Sequence, residues 1–315
     1  MASERKKRLF AHVLLYHAVS ENLPVQPGMK LHNVCPDVLF KQLSWVKQNF
    51  DVVDLDSLAR LQDREGKCAI TFDDAYKSVF TNALPILADL NLPASVFVIG
   101  STLTGKIFWR DKMRMLIGSG LSAEFVAWAE AFCRSNRIDA DNLYKKSKCP
   151  SVNSAELDKL LSAFLDARVV SGRGERNLCA DDERQLVEHP LLSYGNHTEN
   201  HYVLASLSGA EQRREIRRNA ALLETLGRKT TQVFSVPFGG LETFDTETCT
   251  ILAREGYSAF LLSRSRVNHV TDGPLPKLNG LPVLERYMPV GSFSGFQRQI
   301  AELIDGAGQR VGLGP

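Results

Sequence analysis

Cys68-Ala-Ile-Thr-Phe-Asp-Asp-Ala-Tyr76 joins a short apolar, β-favouring run, Cys68 to Phe72, to two adjacent carboxylates, Asp73 and Asp74. Beyond them Val79, Phe80, Ala83, Leu84 and Leu87 recur at helical spacing, so the pattern predicts a helix from Lys77 to Leu90. A strand running straight into a helix puts both carboxylates at the strand's C-terminal end, where α/β folds bind ligands and do chemistry. Successive strand residues point to opposite sides, so the two need not share one task. Asp is also a preferred helix N-cap, which is the commoner use of a lone Asp-Asp pair. The pair gains meaning only from partners elsewhere.

Outward from this stretch, strand and helix alternate. Arg8 to Tyr16 reads as a first strand, ending at His17 as the central one ends at Asp73 and Asp74. A loop with Pro24, Pro27 and Gly28 leads to a helix from about Pro36 to Asn49, then a strand at Phe50–Val53 and a short helix at Asp56–Leu61. Ala94–Ile99 is a buried strand. From about 101 to 189 no strand is evident: Phe108–Ile117, Ala123–Cys133 and Ser154–Val170 look helical, a helical insertion suited to a lid or specificity role, or equally to added bulk or an oligomer contact. Alternation resumes with strands at Leu191–Tyr194, Thr231–Val236, Ser258–Leu262 and Gly280–Tyr287. The intervening helices run from Ser208, with Glu211 completing a capping box, to Leu226, and from Thr246 to Glu255. A last helix, Ser292–Ile304, precedes a Gly-rich tail. The alternation predicts a parallel sheet or barrel.

Composition narrows the function classes. The chain has 315 residues, 44% hydrophobic and 23% charged, with a net charge of +2, so no basic field argues for nucleic acid or an anionic membrane. The basic cluster Arg213, Arg214, Arg217 and Arg218 is interleaved with Glu211 and Glu215, as on a solvated helix face. Six scattered cysteines form no C-x-x-C pair and fit a reducing compartment. Arg5-Lys6-Lys7-Arg8 precedes an apolar run, but His12 and His17 break it and no small-residue cleavage site follows; no stretch reaches the ~20 apolar residues of a membrane helix. The expectation is a cytoplasmic protein without a transmembrane segment.

His197 and His201 follow a strand end at a spacing of four, which lets two imidazoles meet one metal ion if the segment begins a helical turn. With Asp74 they make a His/His/Asp set, three protein ligands that leave room for a reactive water. Asp73 is then the base for that water, whose pKa a metal lowers from ~16 towards ~7.

Thr71-Phe-Asp-Asp-Ala-Tyr76 with His197-Thr-Glu-Asn-His201 resembles the first two motifs of the polysaccharide deacetylase family, carbohydrate esterase family four. The resemblance covers most of 10–100 and 194–287. It implies an α/β fold, a distorted (β/α)7-type barrel, forming a single catalytic domain over 1–315 with the helical insertion at about 101–189. It also implies one divalent metal ion, most often zinc, with cobalt, nickel or iron as alternatives, and hydrolysis of an acetyl group on a sugar. The chain departs from the family in three places. Ala75 stands where the first motif has Gly. Phe234-Ser-Val-Pro-Phe-Gly239 keeps the Pro-aromatic-Gly of the third motif but has Ser235 in place of the arginine that orients the base. No Leu-x-His supplies a general acid near the C-terminus, where Leu281-Pro-Val-Leu-Glu-Arg286 stands instead.

By this reading Asp74, His197 and His201 hold the metal, Asp73 is the base, and the Phe238 N–H faces the oxyanion. Tyr76, Pro237 and Gly239 line the substrate. His17 donates the proton to the leaving amine, or else lines the pocket or holds a ligand, and His269 is a second candidate acid. The partner is an N-acetylated sugar, a polysaccharide or its nucleotide- or lipid-linked precursor in bacterial cell-surface polysaccharide synthesis, such as lipopolysaccharide O-antigen. Two rivals are a deformylase or other amide hydrolase on the same scaffold, and a non-catalytic carbohydrate-binding descendant.

Overall fold

The structure, a computed structural model, describes residues 10–21, 32–168, 178–269 and 273–311. The basic stretch Arg5–Arg8, the loop at Pro24–Gly28, the last residues of the helix expected to reach Val170 and the tail from 312 lie outside these.

Seven parallel strands form a ring: β1 (Phe10–Tyr16), β2 (Lys67–Phe72), β3 (Ala94–Val98), β4 (Leu192–Asn196), β5 (Val233–Ser235), β6 (Ala259–Leu262) and β7 (Leu281–Glu285). β1 to β4 pair in sequence order within one sheet, and β5 to β7 within a second. Single parallel bridges join the two sheets, Tyr194 to Thr230 on one side and Leu14 to Tyr287 on the other. The second seam is held by Leu15 N–H to the Tyr287 carbonyl (3.0 Å) and Tyr287 N–H to the Val13 carbonyl (3.2 Å). The distorted seven-stranded (β/α) barrel implied by the family resemblance is therefore present, regular within each sheet and joined at the two seams by single bridges.

Alternation along the strands sorts the core. Ala11, Val13, Ala69, Phe97, Val233, Ala259, Leu261 and Leu284 form one apolar cluster. Leu14, Ile70, Phe72, Val96, Val98 and Phe260 belong to a larger one shared with the surrounding helices. The period of two makes the first set the barrel interior. Gly195 has no room for a side chain, because a Cβ there would sit 2.3 Å from the Phe97 ring.

The outer helices follow the sequence closely. α1 (Pro36–Asn49) starts at a proline, and α2 (Leu55–Arg60) is capped by Asp54, which accepts the Ser57 N–H. After β2 the expected single helix is split: a wide turn over Val79–Ala83 leads into α3 (Leu84–Leu90), whose first turn contains Pro85. Proline lacks the N–H that a continuous ladder would need there. The insertion is helical as expected: α4 (Trp109–Gly118), α5 (Ser122–Trp128), α6 (Glu130–Ser135), α7 (Leu143–Lys146) and α8 (Ser154–Asp166). The helix expected over Ala123–Cys133 is broken at Ala129. Finally α9 (Gly209–Thr225) carries the Ser208/Glu211 capping box, and α10 (Thr246–Arg254) and α11 (Phe293–Val311) complete the chain. Among the described residues no helix is long and apolar enough to cross a membrane.

Candidate active site

Asp73, His197, Ser263 and Arg286 each stand one residue past the end of a barrel strand, and Ser235 ends its own. All five lie at the C-terminal mouth, within one hydrogen-bonding neighbourhood. β2 delivers the two carboxylates to different places. Asp73 continues the strand, its N–H bonded to the Tyr16 carbonyl at 2.9 Å. At Asp74 the backbone turns left-handed (φ 66°), and Ala75 follows it (φ 47°). That reversal swings the Asp74 carboxylate away from the strand and towards β4.

There it meets the two imidazoles. Asp74 Oδ1 lies 3.5 Å from Nε2 of His197 and 3.5 Å from Nε2 of His201, and ligand atoms of all three fall within 4.8 Å of one another. All three side chains are buried. Ligand atoms ~2.1 Å from one tetrahedral ion stand about 3.4 Å apart, so the spacing fits a metal. Polar satisfaction agrees, since Asp74 Oδ1 is buried without a hydrogen-bond partner. His197 Nδ1 is 2.8 Å from the Ser235 carbonyl, which fixes a proton on Nδ1 and leaves Nε2 as a lone pair facing Asp74. Burial pushes the Asp74 carboxyl up to about 8, with the neighbouring Asp73 charge adding to it, while burial holds both imidazoles below their ordinary value and so neutral. Neutral imidazoles and a carboxylate short of a counter-charge are what a divalent cation needs.

The His197–His201 segment is held from behind. Thr198 and His201 have positive φ. Thr198 N–H reaches Asn196 Oδ1 at 2.8 Å, and His201 N–H reaches Thr198 Oγ1 at 2.8 Å. From α9, buried Glu215 accepts the Asn200 N–H (2.8 Å) and its side-chain amide (2.7 Å). From the insertion, the Trp109 indole N–H donates to the His201 carbonyl (2.9 Å). The insertion therefore buttresses the loop that carries both histidines.

Asp73 has a different environment, supplied by a residue that the motif reading passed over. Arg286, fully buried, donates Nη1–H to Asp73 Oδ1 and Nη2–H to Oδ2, both at 2.8 Å. The same guanidinium reaches Ser235 Oγ (2.9 Å) and Ser263 Oγ (3.1 Å), and Ser235 Oγ donates to Asp73 at 3.2 Å. Although burial alone would raise it, Arg286 chiefly, then His197, hold the Asp73 carboxyl well below the usual carboxylate range. The arginine missing from the third motif is thus matched by one from β7, with Ser235 as a small bridging hydroxyl. A signal was available. Arg286 is two residues from the interior residue Leu284 and so shares its face, and a lone cation on an interior face needs an anion.

Several expected residues find definite places. His17 follows β1, its Nδ1 buried and unpartnered, its ring 5.1 Å from that of His32. Burial lowers it to about 3 against the opposing pull of Asp73. Phe238 (φ 64°) and Gly239 (φ 65°) make the turn after β5, and Phe238 packs its ring 4.8 Å from that of His201. Gly239 is required there, because a Cβ would lie 2.6 Å from the Ser263 nitrogen. Pro237 and Tyr76 are buried, and the Tyr76 hydroxyl is left without a hydrogen bond. His269 is a correction. It is exposed and pairs with Phe10 at the start of β1, the opposite end of the barrel, so it takes no part in the site.

A sequence profile described as polysaccharide deacetylase matches residues 61–130 and 163–260, more than half of the chain. No curated protein matches by sequence. Among solved structures the chain is similar to the Streptococcus pyogenes deacetylase PplD in complex with acetate, with 18% identity over 93% of this chain and 99% of that one, at a TM-score of 0.57. A de-N-acetylase from Aggregatibacter actinomycetemcomitans is similar at 14% identity, 92% and 99% coverage and a TM-score of 0.55. IcaB from Ammonifex degensii is similar at 19%, 94% and 97%, and 0.53. At such identities the likeness speaks for the fold.

Proposed function

The chain belongs to the polysaccharide deacetylase family, and from that premise we propose that it is a metal-dependent hydrolase removing the acetyl group from an N-acetylated sugar. The observation that carries this reading is the convergence of Asp74, His197 and His201 on one point at the barrel mouth, beside an Asp73 clamped in its anionic form.

Asp74, His197 and His201 would hold one divalent ion, with zinc the first choice for two imidazoles and a carboxylate and cobalt, nickel or iron also compatible. Such an ion supplies Lewis acidity, lowering the pKa of water towards ~7 and polarising the acetamide carbonyl. The remaining steps belong to the chain's own residues. Asp73, its position fixed by two hydrogen bonds from Arg286, accepts a proton from the attacking water. The Phe238 N–H stabilises the oxyanion as it forms. Breaking the C–N bond requires a proton on the departing amine. His17, neutral at rest and within the field of Asp73, relays the proton taken from water. The products are acetate and the free amino sugar.

Two departures favour the non-catalytic descendant, the missing third-motif arginine and the missing Leu-x-His, and the arginine clamp answers the first of them. We place the enzyme in the cytoplasm, in keeping with six unpaired cysteines, acting on a nucleotide- or lipid-linked sugar or a nascent glycan of cell-surface polysaccharide synthesis, O-antigen among them.

The test is bound metal per chain by elemental analysis, for wild type and His197→Ala, with acetate release measured alongside Asp73→Asn. About one divalent ion per wild-type chain, absent from His197→Ala, is expected, with acetate release abolished in both variants although Asp73→Asn keeps its metal. No metal in the wild type after addition of zinc, cobalt or nickel would sink the mechanism.

A further inference from the structure

Buried polar atoms without partners gather on the insertion side of the site. Arg110 Nη2 and Arg114 Nε, both on α4, are among them, beside the Tyr76 hydroxyl. Arg110 is the unusual one. It is 2% exposed, and its guanidinium carbon lies 4.4 Å from the Tyr144 ring centroid, 4.8 Å from that of Trp109 and 5.8 Å from that of Phe238. Nη1 donates to Ser147 Oγ at 2.6 Å and the Tyr144 hydroxyl offers a further hydrogen bond, but Nη2 is left buried without a partner. Ring faces attract the charge but leave most of the five N–H groups in the guanidinium plane without an acceptor. The adjacent carboxylate, Asp111, is ion-paired with Arg114 through Oδ1 and also attracts Arg110, but among the described residues Arg110 makes no direct ion pair of its own. A buried guanidinium without a direct anionic partner is costly, so the position makes sense if an anion is recruited when the site is filled.

Location says what would bring that anion. Phe238 touches both this guanidinium and the His201 ring, so Arg110 stands one side chain away from the metal triad. The Lys148 ammonium lies 4.6 Å from the Tyr144 ring, which Arg110 also covers, so two cations flank one tyrosine. Tyr144 and Phe238 are each only half-buried, so a ligand reaches Arg110 by displacing one ring and not by opening the core.

We propose that Arg110, with Lys148, forms a subsite for an anionic oxygen group, phosphate or carboxylate, carried by the sugar that loses its acetyl group. The proposal rests on the deacetylase reading above and adds a charge requirement to its substrate.

Calorimetric titration of the metal-loaded full chain tests it with three probes: N-acetylglucosamine, N-acetylglucosamine 1-phosphate and N-acetylmuramic acid. One of the two anions should bind about tenfold tighter than the neutral sugar, as a charge-assisted hydrogen bond warrants. Which anion gains shows whether phosphate or carboxylate is recognised. Arg110→Gln, its folding checked by melting temperature, should remove most of that advantage. Lys148→Met, at a half-buried side chain, should reduce it about threefold and serves where Arg110→Gln does not fold. Equal binding of all three probes, no measurable binding of either anion, or an anion advantage that survives both substitutions would overturn the subsite. Binding of phosphate directly to the metal belongs to the last case, since it ignores Arg110. Acetate release by the wild type, scored separately, tells whether the hydrolase reading stands when the subsite does not.

Discussion

The two arcs of the barrel build their parts of the site in different ways. In the β1–β4 arc each contribution is local. Asp73 and Asp74 are neighbours in sequence, His197 and His201 are four apart, and a left-handed turn or a short loop does the rest. In the β5–β7 arc the contribution is distributed, with Ser235, Ser263 and Arg286 coming one from each strand to make a single clamp on Asp73. A local arrangement leaves a mark in the chain. A distributed one leaves single residues, each ordinary alone.

The largest effect expected from this contrast follows removal of the clamp's cation. Arg286→Met leaves Asp73 buried without its counter-ion, and breaking such a pair costs about 3–5 kcal/mol of stability. Turnover should also fall about 100-fold, because the base loses its fixed position, while metal content, governed by the other arc, stays at one ion per chain. Adding Ser235→Arg to Arg286→Ser should recover at least about tenfold of the lost turnover, since both positions face the same carboxylate. If metal is lost along with activity in Arg286→Met, the two arcs are not independent and the contrast fails.

A middle-sized effect concerns the metal-binding arc and its pH dependence. Metal binding needs Asp74 as carboxylate, but burial keeps it protonated up to about 8 in the free protein. Binding below that pH therefore expels one proton, and the apparent affinity should fall about tenfold per unit as pH drops from 8 to 6, and be flat above 8. The histidines add no further slope in that window because their protonation is pushed lower. Competition with a chelator at pH 6, 7, 8 and 9 gives the slope. A slope of two protons would mean that an imidazole also titrates.

The smallest effect lies at Ala75, a non-glycine residue at φ 47° where the family has glycine. Ala75→Gly relieves the left-handed strain but gives up a buried methyl, so stability should rise by no more than about 1 kcal/mol, read as a slightly higher Tm. A large loss would show that the methyl holds the turn.

These differences also account for what could be read from the sequence. A parallel sheet or barrel was legible because strand and helix alternate with clean periodicity outside 101–189, the seven-stranded barrel only through the family resemblance, and the metal triad because its members sit in two short motifs. The seams were not legible, since they rest on the single bridges at Thr230 and Tyr287, which leave no pattern. The clamp leaves no motif, because Arg286 stands where the family has a histidine motif, although its alternation with Leu284 puts it on the interior face. His269 was a histidine in the right part of the chain and at the wrong end of a strand, an ambiguity that pairing with Phe10 removes. The insertion read correctly as helices, but nothing in its spacing foretold that Trp109 would brace the His201 carbonyl.

Arg286 reaching Asp73 from the last strand has a consequence for how degenerate relatives are judged. A carboxylate on the axis of a closed ring can be served from any stave, and the staves follow one another in space in an order that the linear text need not respect. An inventory of motifs counts a vacant slot at Ser235, whereas the cavity counts one guanidinium, present and doubly bonded. Chains of this architecture dismissed as dead for want of that slot merit a second census, taken around the axis and not along the polypeptide.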